Sequence, residues 1–270
     1  MLIKVGANTD IGRKRKGNED NFCVDVELGL LAVADGVGGA AFGEIASKMG
    51  VEILEDYIKN SQSDATPMIG RYQDEFTEAT NRLNAAVTLS NKAIYEAAQN
   101  NPEWQGMSTT IVAALLDHNR LSIVHAGDSR IYLIRSGLIE QLTDDHTLAY
   151  EQIKKGLMSS EEARDLKLTN VITRALGIMP DIETSVDELT IFDGDILLLC
   201  SDGLNTLVKD TEMVEIIKNS DGPLDACNKL VDKANSNGGH DNITVILAFI
   251  TEKKRFPFLY NLFKMFRKGA

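Results

Sequence analysis

A short apolar run that reaches a carboxylate beside glycine occurs four times in this chain, and it constrains the fold more than any other feature. Leu30 to Ala34 runs into Asp35-Gly36, and Ile196 to Cys200 runs into Ser201-Asp202-Gly203. Gly238-Gly239-His240-Asp241 precedes the apolar run that starts at Ile243, and Gly127-Asp128 separates two more apolar runs. Runs of this length between turn signals read as buried strands. Any one Asp-Gly reads as a turn. Four aspartates at strand ends, each close to a glycine, point to one shared site at the end of a sheet.

Such a site carries an electrostatic problem. Neighbouring carboxylates cannot all ionise without a counter-charge, and cations nearby in the sequence are few. A bound metal is the natural answer, and an all-oxygen donor set favours Mg²⁺ or Mn²⁺ over zinc.

The order of elements narrows the architecture. Strands are expected at 2–8, 21–26 and 28–34. Helices follow at 43–60, where Ala46, Gly50, Leu54 and Ile58 line one stripe, and at about 74–100. Strands return at 107–116, 120–126, 129–134 and 138–142, with short connections that predict antiparallel neighbours. A polar, mostly helical insert spans 146–177. Strands at 183–191 and 195–200, helices at 211–219 and 224–237, and a strand at 242–250 complete the chain. This is not a βαβ alternation, so antiparallel sheets covered by paired helices fit better than a doubly wound parallel sheet. One domain over 1–250 is expected, with 251–270 as an appendage.

Several chemistries are excluded. A formal net charge of −12 argues against nucleic acid as a main partner. There is no Gly-Lys-Ser/Thr phosphate loop and no Gly-x-Ser-x-Gly elbow. None of Cys23, Cys200 and Cys227 has an arginine six residues later, which rules out a cysteine-phosphatase loop. Gly36-Val37-Gly38-Gly39-Ala40-Ala41 matches a dinucleotide-binding pattern. No acidic residue ends a second parallel strand after it, and Asp35 would repel a pyrophosphate. Three cysteines without metal spacing, no apolar leader and no run of about 18 apolar residues lead to an expected cytoplasmic location.

Eight blocks in order resemble the metal-dependent protein phosphatases, the protein phosphatase 2C family, and most closely its short bacterial serine/threonine members. They are D-I-G-R-K-R-K-G-N-E-D, A-D-G-V-G-G, G-M-S-T-T, H-A-G-D-S-R-I-Y, T-D-D-H-T, N-V-I-T-R-A-L-G, C-S-D-G-L and G-H-D-N-I-T-V, between Thr9 and Phe249. The resemblance implies an α+β fold, a four-layer α-β-β-α sandwich of two antiparallel sheets flanked by helix pairs. It implies that Asp35 bridges two Mn²⁺ or Mg²⁺ ions, that the Gly36 carbonyl binds one, and that Asp202 and Asp241 bind the other. Glu19 and Asp20 then match the acidic pair that supports this site, and Asp128 a ligand of a third, weaker ion shared with Asp202. Arg15 matches the arginine that binds the substrate phosphate.

The implied reaction is hydrolysis of phosphoserine or phosphothreonine on proteins by a metal-bridging hydroxide, opposing a serine/threonine kinase and its autophosphorylated form. A monomer is expected. The alternative on the same fold is a phosphoprotein-binding pseudophosphatase. Two departures stand out. Val37 occupies the position where some members carry a histidine acid, and Leu166 and Thr169 replace a histidine and an arginine in the insert, which is expected to form a flap beside the site. Beyond the resemblance, residues 251–270 carry Lys253, Lys254, Arg255, Lys264, Arg267 and Lys268 with five apolar residues on one face if helical. That pattern suits docking on the acidic domain or a partner, or an anionic membrane surface.

Overall fold

The computed structural model describes residues 1–37, 42–61, 66–166, 168 and 171–252. The basic tail, Thr169 and the glycine-containing stretch at 38–41 lie outside these residues.

The first sheet has the order β1-β11-β10-β7-β8. It is formed by β1 (Leu2–Asp10), β7 (Arg130–Arg135), β8 (Leu138–Gln141), β10 (Ile196–Cys200) and β11 (Ile243–Thr251). The second has the order β2-β3-β5-β6-β9, with β4 pairing the end of β3. Its strands are β2 (Asp20–Asp25), β3 (Leu30–Val37), β4 (Ser108–Thr109), β5 (Ile111–Asp117), β6 (Arg120–Ala126) and β9 (Ser185–Thr190). Every ladder among the described residues is antiparallel, which excludes the dinucleotide fold.

The continuous apolar runs are explained by burial on both faces. In β3, Leu31 and Val33 pack in the seam between the sheets, while Leu30, Ala32 and Ala34 pack under helices α1 (Gly43–Asn60) and α2 (Glu78–Asn100). In β10, Leu197 and Leu199 enter the same seam, and Leu198 and Cys200 pack under α5 (Asp202–Asn205), α6 (Asp210–Lys218) and α7 (Pro223–Ser236). A period of two with apolar residues at every position yields three stacked cores and therefore four layers. Two short helices, α3 (Leu148–Lys154) and α4 (Ser160–Asp165), belong to the insert.

Several expectations are corrected. β3 does not end before Asp35; it runs on to Val37, because Gly36 and Val37 pair with Thr109 and Ser108. The expected strand at 107–116 is two strands that break at Thr110. α2 starts at Glu78 rather than near 74, because Thr77 caps it and the Glu188 carboxylate takes the Thr77 N–H at 3.0 Å. β6 and β7 are not partners despite a three-residue connection. Gly127, at φ +110°, carries the chain from one sheet to the other. The described part of the insert is less helical than expected, since α3 and α4 are short and Thr147 bridges Ile172 in extended pairing.

Candidate metal and phosphate site

Asp35 lies on the same face of β3 as Leu31 and Val33, so the side of the strand that packs in the seam ends in a carboxylate. Asp20 is its direct partner across the β2–β3 ladder. Asp128 sits in the crossover between the sheets, Asp202 opens α5 at the end of β10, and Asp241 precedes β11. Both sheets therefore deliver carboxylates to one end of the seam.

Their mutual influence shows in their acidity. Burial holds the Asp35 carboxyl well above the usual range, with Asp20, Asp202, Asp128 and Asp241 adding to the effect. Burial pushes Asp20 up to about 7, against hydrogen bonds from Thr244 and Ser201, and Asp202 and Asp241 raise it further. Burial, then Asp202 and Asp145, raises Asp128 to about 7. Asp202 reaches about 6 through burial and Asp241, against the opposing pull of Arg15. Five acids predicted from separate parts of the chain are within electrostatic reach of one another.

The supporting bonds are specific. Asp20 Oδ2 accepts from Ser201 Oγ and Thr244 Oγ1, each at 2.7 Å. The Asp35 backbone N–H donates to Thr110 Oγ1 at 3.1 Å, and Thr109 Oγ1 donates to the Asp35 carbonyl at 2.8 Å. The Gly36 N–H donates to the Glu19 carbonyl at 3.1 Å. A Cβ at Gly36 would come within 2.3 Å of the Gly43 carbonyl oxygen, so only glycine lets the strand approach α1 this closely. The Glu19 carboxylate reaches toward the same place; its Oε2 would lie 2.9 Å from a Cβ on Gly43.

Arg15 is half exposed, and its Nη2 meets Asp241 Oδ2 at 2.5 Å. The bond to Asp241, helped by Glu19 and Asp35, holds the guanidinium still more firmly protonated. The Arg13 backbone N–H donates to the Gly239 carbonyl at 2.7 Å.

The donor set fits a hard divalent cation. Asp20 Oδ1 and Asp202 Oδ1 are buried with no hydrogen-bond partner. An acceptor left without a donor in the interior costs about 1–3 kcal/mol, and more when charged. Among the described residues, no three acidic, histidine or cysteine side chains already close on a point as a finished cage. The unpartnered oxygens and the crowding of like charge nevertheless match what a cation would relieve.

Sequence reasoning missed Ser201, Thr244, Thr110 and Asn242 as supports. A polar residue inside an apolar strand, such as Thr244, was the available signal. His125 and His146, which no sequence motif pairs, stack with ring centroids 4.6 Å apart.

Two antiparallel sheets packed face to face, helix pairs outside, and acidic residues from both sheets at one end of the seam define a four-layer sandwich whose acidic end has the oxygen donors a divalent cation takes. The protein phosphatase 2C family profile matches residues 13–234, and the chain belongs to that family. It is similar to a serine/threonine phosphatase of Listeria monocytogenes, 37 % identical over 252 residues that cover 92 % of this chain and 96 % of the relative. It is also similar to protein phosphatase PhpP of Streptococcus pneumoniae, 33 % identical, with 93 % and 99 % covered. The serine/threonine phosphatase PstP of Mycobacterium tuberculosis superposes with a TM-score of 0.82 at 32 % identity, over 93 % of this chain and all of that one. A PstP catalytic domain in complex with two manganese ions gives a TM-score of 0.79 at 34 % identity, over 93 % and 99 %.

Proposed function

We propose that the chain is a metal-dependent protein phosphatase that hydrolyses phosphoserine and phosphothreonine on proteins. The convergence of Asp20, Asp35, Asp128, Asp202 and Asp241 at one seam end, with Arg15 reaching over them, carries this reading. Asp35 and the Gly36 carbonyl, with Asp202 and Asp241, would hold two Mn²⁺ or Mg²⁺ ions. Glu19 and Asp20 would brace them, and Asp128 with Asp202 would hold a third, weaker one. When bound, these ions supply a water acidified toward neutral pH as the nucleophile and polarise the phosphoryl oxygens.

The chain's own residues do the rest. Ser201 and Thr244 fix Asp20 by one oxygen and leave the other buried without a hydrogen-bond partner. Arg15 offers a planar fork of donors to the phosphate oxygens, which means exchanging its bond to Asp241 for the substrate. No thiol competes as nucleophile: Cys23, Cys200 and Cys227 are buried, and burial pushes each up to about 12. With Val37 after Asp35-Gly36, the proton for the leaving oxygen would come from a water or from a group elsewhere in the site.

The finer reading is a monomer in the cytoplasm that opposes a serine/threonine kinase. No helix of the described residues is long and apolar enough to cross a membrane. The tail at 253–270 is proposed to rest on the domain, since it holds six of the 28 basic residues and none of the 40 acidic ones. The deciding assay is hydrolysis of p-nitrophenyl phosphate and a phosphothreonine peptide with millimolar Mn²⁺. Turnover that EDTA abolishes is expected; none at all overturns the proposal.

A further inference from the structure

We propose that Asn242 is a positioning residue for Arg15, pinning the basic loop so that the guanidinium is held where a phosphate arrives; this rests on the phosphatase reading above. Asn242 is 4 % exposed. Its Nδ2 donates to the Ile11 carbonyl and to the Gly17 carbonyl, both at 3.0 Å. Its Oδ1 accepts from the Glu19 N–H at 2.8 Å. Ile11 and Gly17 bracket the segment that carries Arg13, Lys14, Arg15 and Lys16. One buried amide thus closes both ends of the loop and ties it to the start of β2.

The same residue also sets the acid that Arg15 meets. The Asn242 backbone N–H donates to Asp241 Oδ1 at 2.8 Å, while Arg15 takes Oδ2. Two further anchors, the Arg13 N–H to the Gly239 carbonyl and the Gly12 N–H to Asp10 Oδ1 at 2.8 Å, precede Arg15 in the loop. On its far side the Gly17 carbonyl is held by Asn242. Only an amide of this length suits the position. Aspartate would face two carbonyls with no donor, and alanine would leave two carbonyls and one N–H to find water. Residues 13–17 are exposed, so a released loop can move into solvent while the two sheets stay packed. The effect should fall on phosphate binding, through Arg15, and not on the acids of the seam.

The test compares Asn242→Ala, Asn242→Asp and Arg15→Ala with the double variant Arg15→Ala/Asn242→Ala. The readouts are kcat and KM on p-nitrophenyl phosphate at saturating Mn²⁺, inhibition by inorganic phosphate, the Mn²⁺ requirement and the melting temperature. Asn242→Ala is expected to raise KM and the phosphate inhibition constant about tenfold while kcat stays within about threefold, the signature of lost binding. In the Arg15→Ala background the same change should add less than about twofold, since residues acting through one group are not additive. Equal effects in both backgrounds, or a fall in kcat at unchanged KM, would overturn the proposal. If Asn242→Ala loses its melting transition, Asn242→Ser keeps one donor and should fall between wild type and the loss; wild-type phosphate inhibition in a folded Asn242→Ser refutes the role. Wild-type protein without turnover would sink the phosphatase reading instead. Calorimetric binding of inorganic phosphate to the Mn²⁺-loaded chain then decides the role of Asn242: unchanged affinity in Asn242→Ala overturns it.

Discussion

Asp20 and Asp35 stand directly opposite each other across the β2–β3 ladder, two carboxylates on one face of a buried sheet end. Directly opposed side chains have Cβ atoms about 5 Å apart, and like charges so placed destabilise the pair. Asp35→Asn should therefore do two opposite things. Without metal it should raise the melting temperature, because a buried like charge is removed. With Mn²⁺ it should lose both turnover and the stabilisation that the ion confers on wild type. Thermal melts with EDTA and with Mn²⁺ check this; a destabilised metal-free variant would contradict the account. Asp128→Ala, by comparison, should lower turnover yet keep most of the Mn²⁺-induced rise.

Arg15→Ala should raise KM at nearly constant kcat, because it removes phosphate contacts and leaves the acids in place. It also frees Asp241 Oδ2, so the Mn²⁺ concentration for half-maximal activity should stay the same or fall. Steady-state kinetics across Mn²⁺ concentrations test both; a steep rise in the metal requirement would assign Arg15 a different task.

The stacked histidines predict a pH effect. Burial lowers His125, with Arg174 adding to the effect against Asp144 and Asp145. Burial, then His125 and Arg174, lowers His146 to about 3. The His146 Nδ1 accepts the Gly127 N–H at 3.2 Å and its Nε2 meets Ser185 Oγ at 2.9 Å. With folded values below the unfolded ones, the unfolded chain binds protons first as pH falls below about 6.5, so this pair costs stability toward acid by up to ~1.4 kcal/mol per pH unit per histidine. The raised carboxyls act in the opposite sense, so a difference measurement is needed. The melting temperature of His146→Gln relative to wild type should rise between about pH 7.5 and about pH 5. A pH-independent difference would remove the histidine from the account.

The insert at 146–177 makes a different prediction. It adjoins a cleft of about 270 Å³ lined by Asp144, His146, Tyr150, Lys154 and Arg174. Exchanging it for another sequence should change preference among phosphopeptides while turnover of a small aryl phosphate is kept. Equal losses on both substrates would make it structural.

Truncation after Glu252 tests the tail. The Glu252 N–H is held by Asp193 Oδ1 at 2.7 Å, at the turn before β10. The shortened chain should melt a few degrees lower, about what 1 kcal/mol does in a domain of this size, with aryl phosphate turnover intact. Salt-sensitive binding to phosphatidylserine vesicles by the full chain alone, with no change in melting, would place the tail on membranes instead.

The sequence was most readable where burial is one-dimensional. α1 and β6 lie at 43–60 and 120–126 as expected, because an apolar stripe or run with clear flanking signals defines each. Asp35, Asp128, Asp202 and Asp241 stood out because each flanks such a run, whereas Glu19 and Asp20 stood out only through the family resemblance. Partnerships across the fold were not. The Glu188 side chain that moves the start of α2, the Thr110 hydroxyl bonded to Ser129 at 2.7 Å, and the Asn242 amide all act between segments far apart in the chain. Neither spacing nor periodicity encodes them. The short β6–β7 link misled for a related reason: chain length between strands limits their distance, and the facing sheet was as near as the next strand.

That crossover has a mechanical consequence. The Gly127–Ser129 link is one of the connections between the two leaves of the sandwich, and Asp20 with Asp35 on one leaf are within electrostatic reach of Asp202 and Asp241 at the end of the other. A cation shared by them would act as a rivet through both leaves. Loading the site should stiffen the whole body against shear and protease attack, well away from the acids themselves, and stripping it should let the leaves slide.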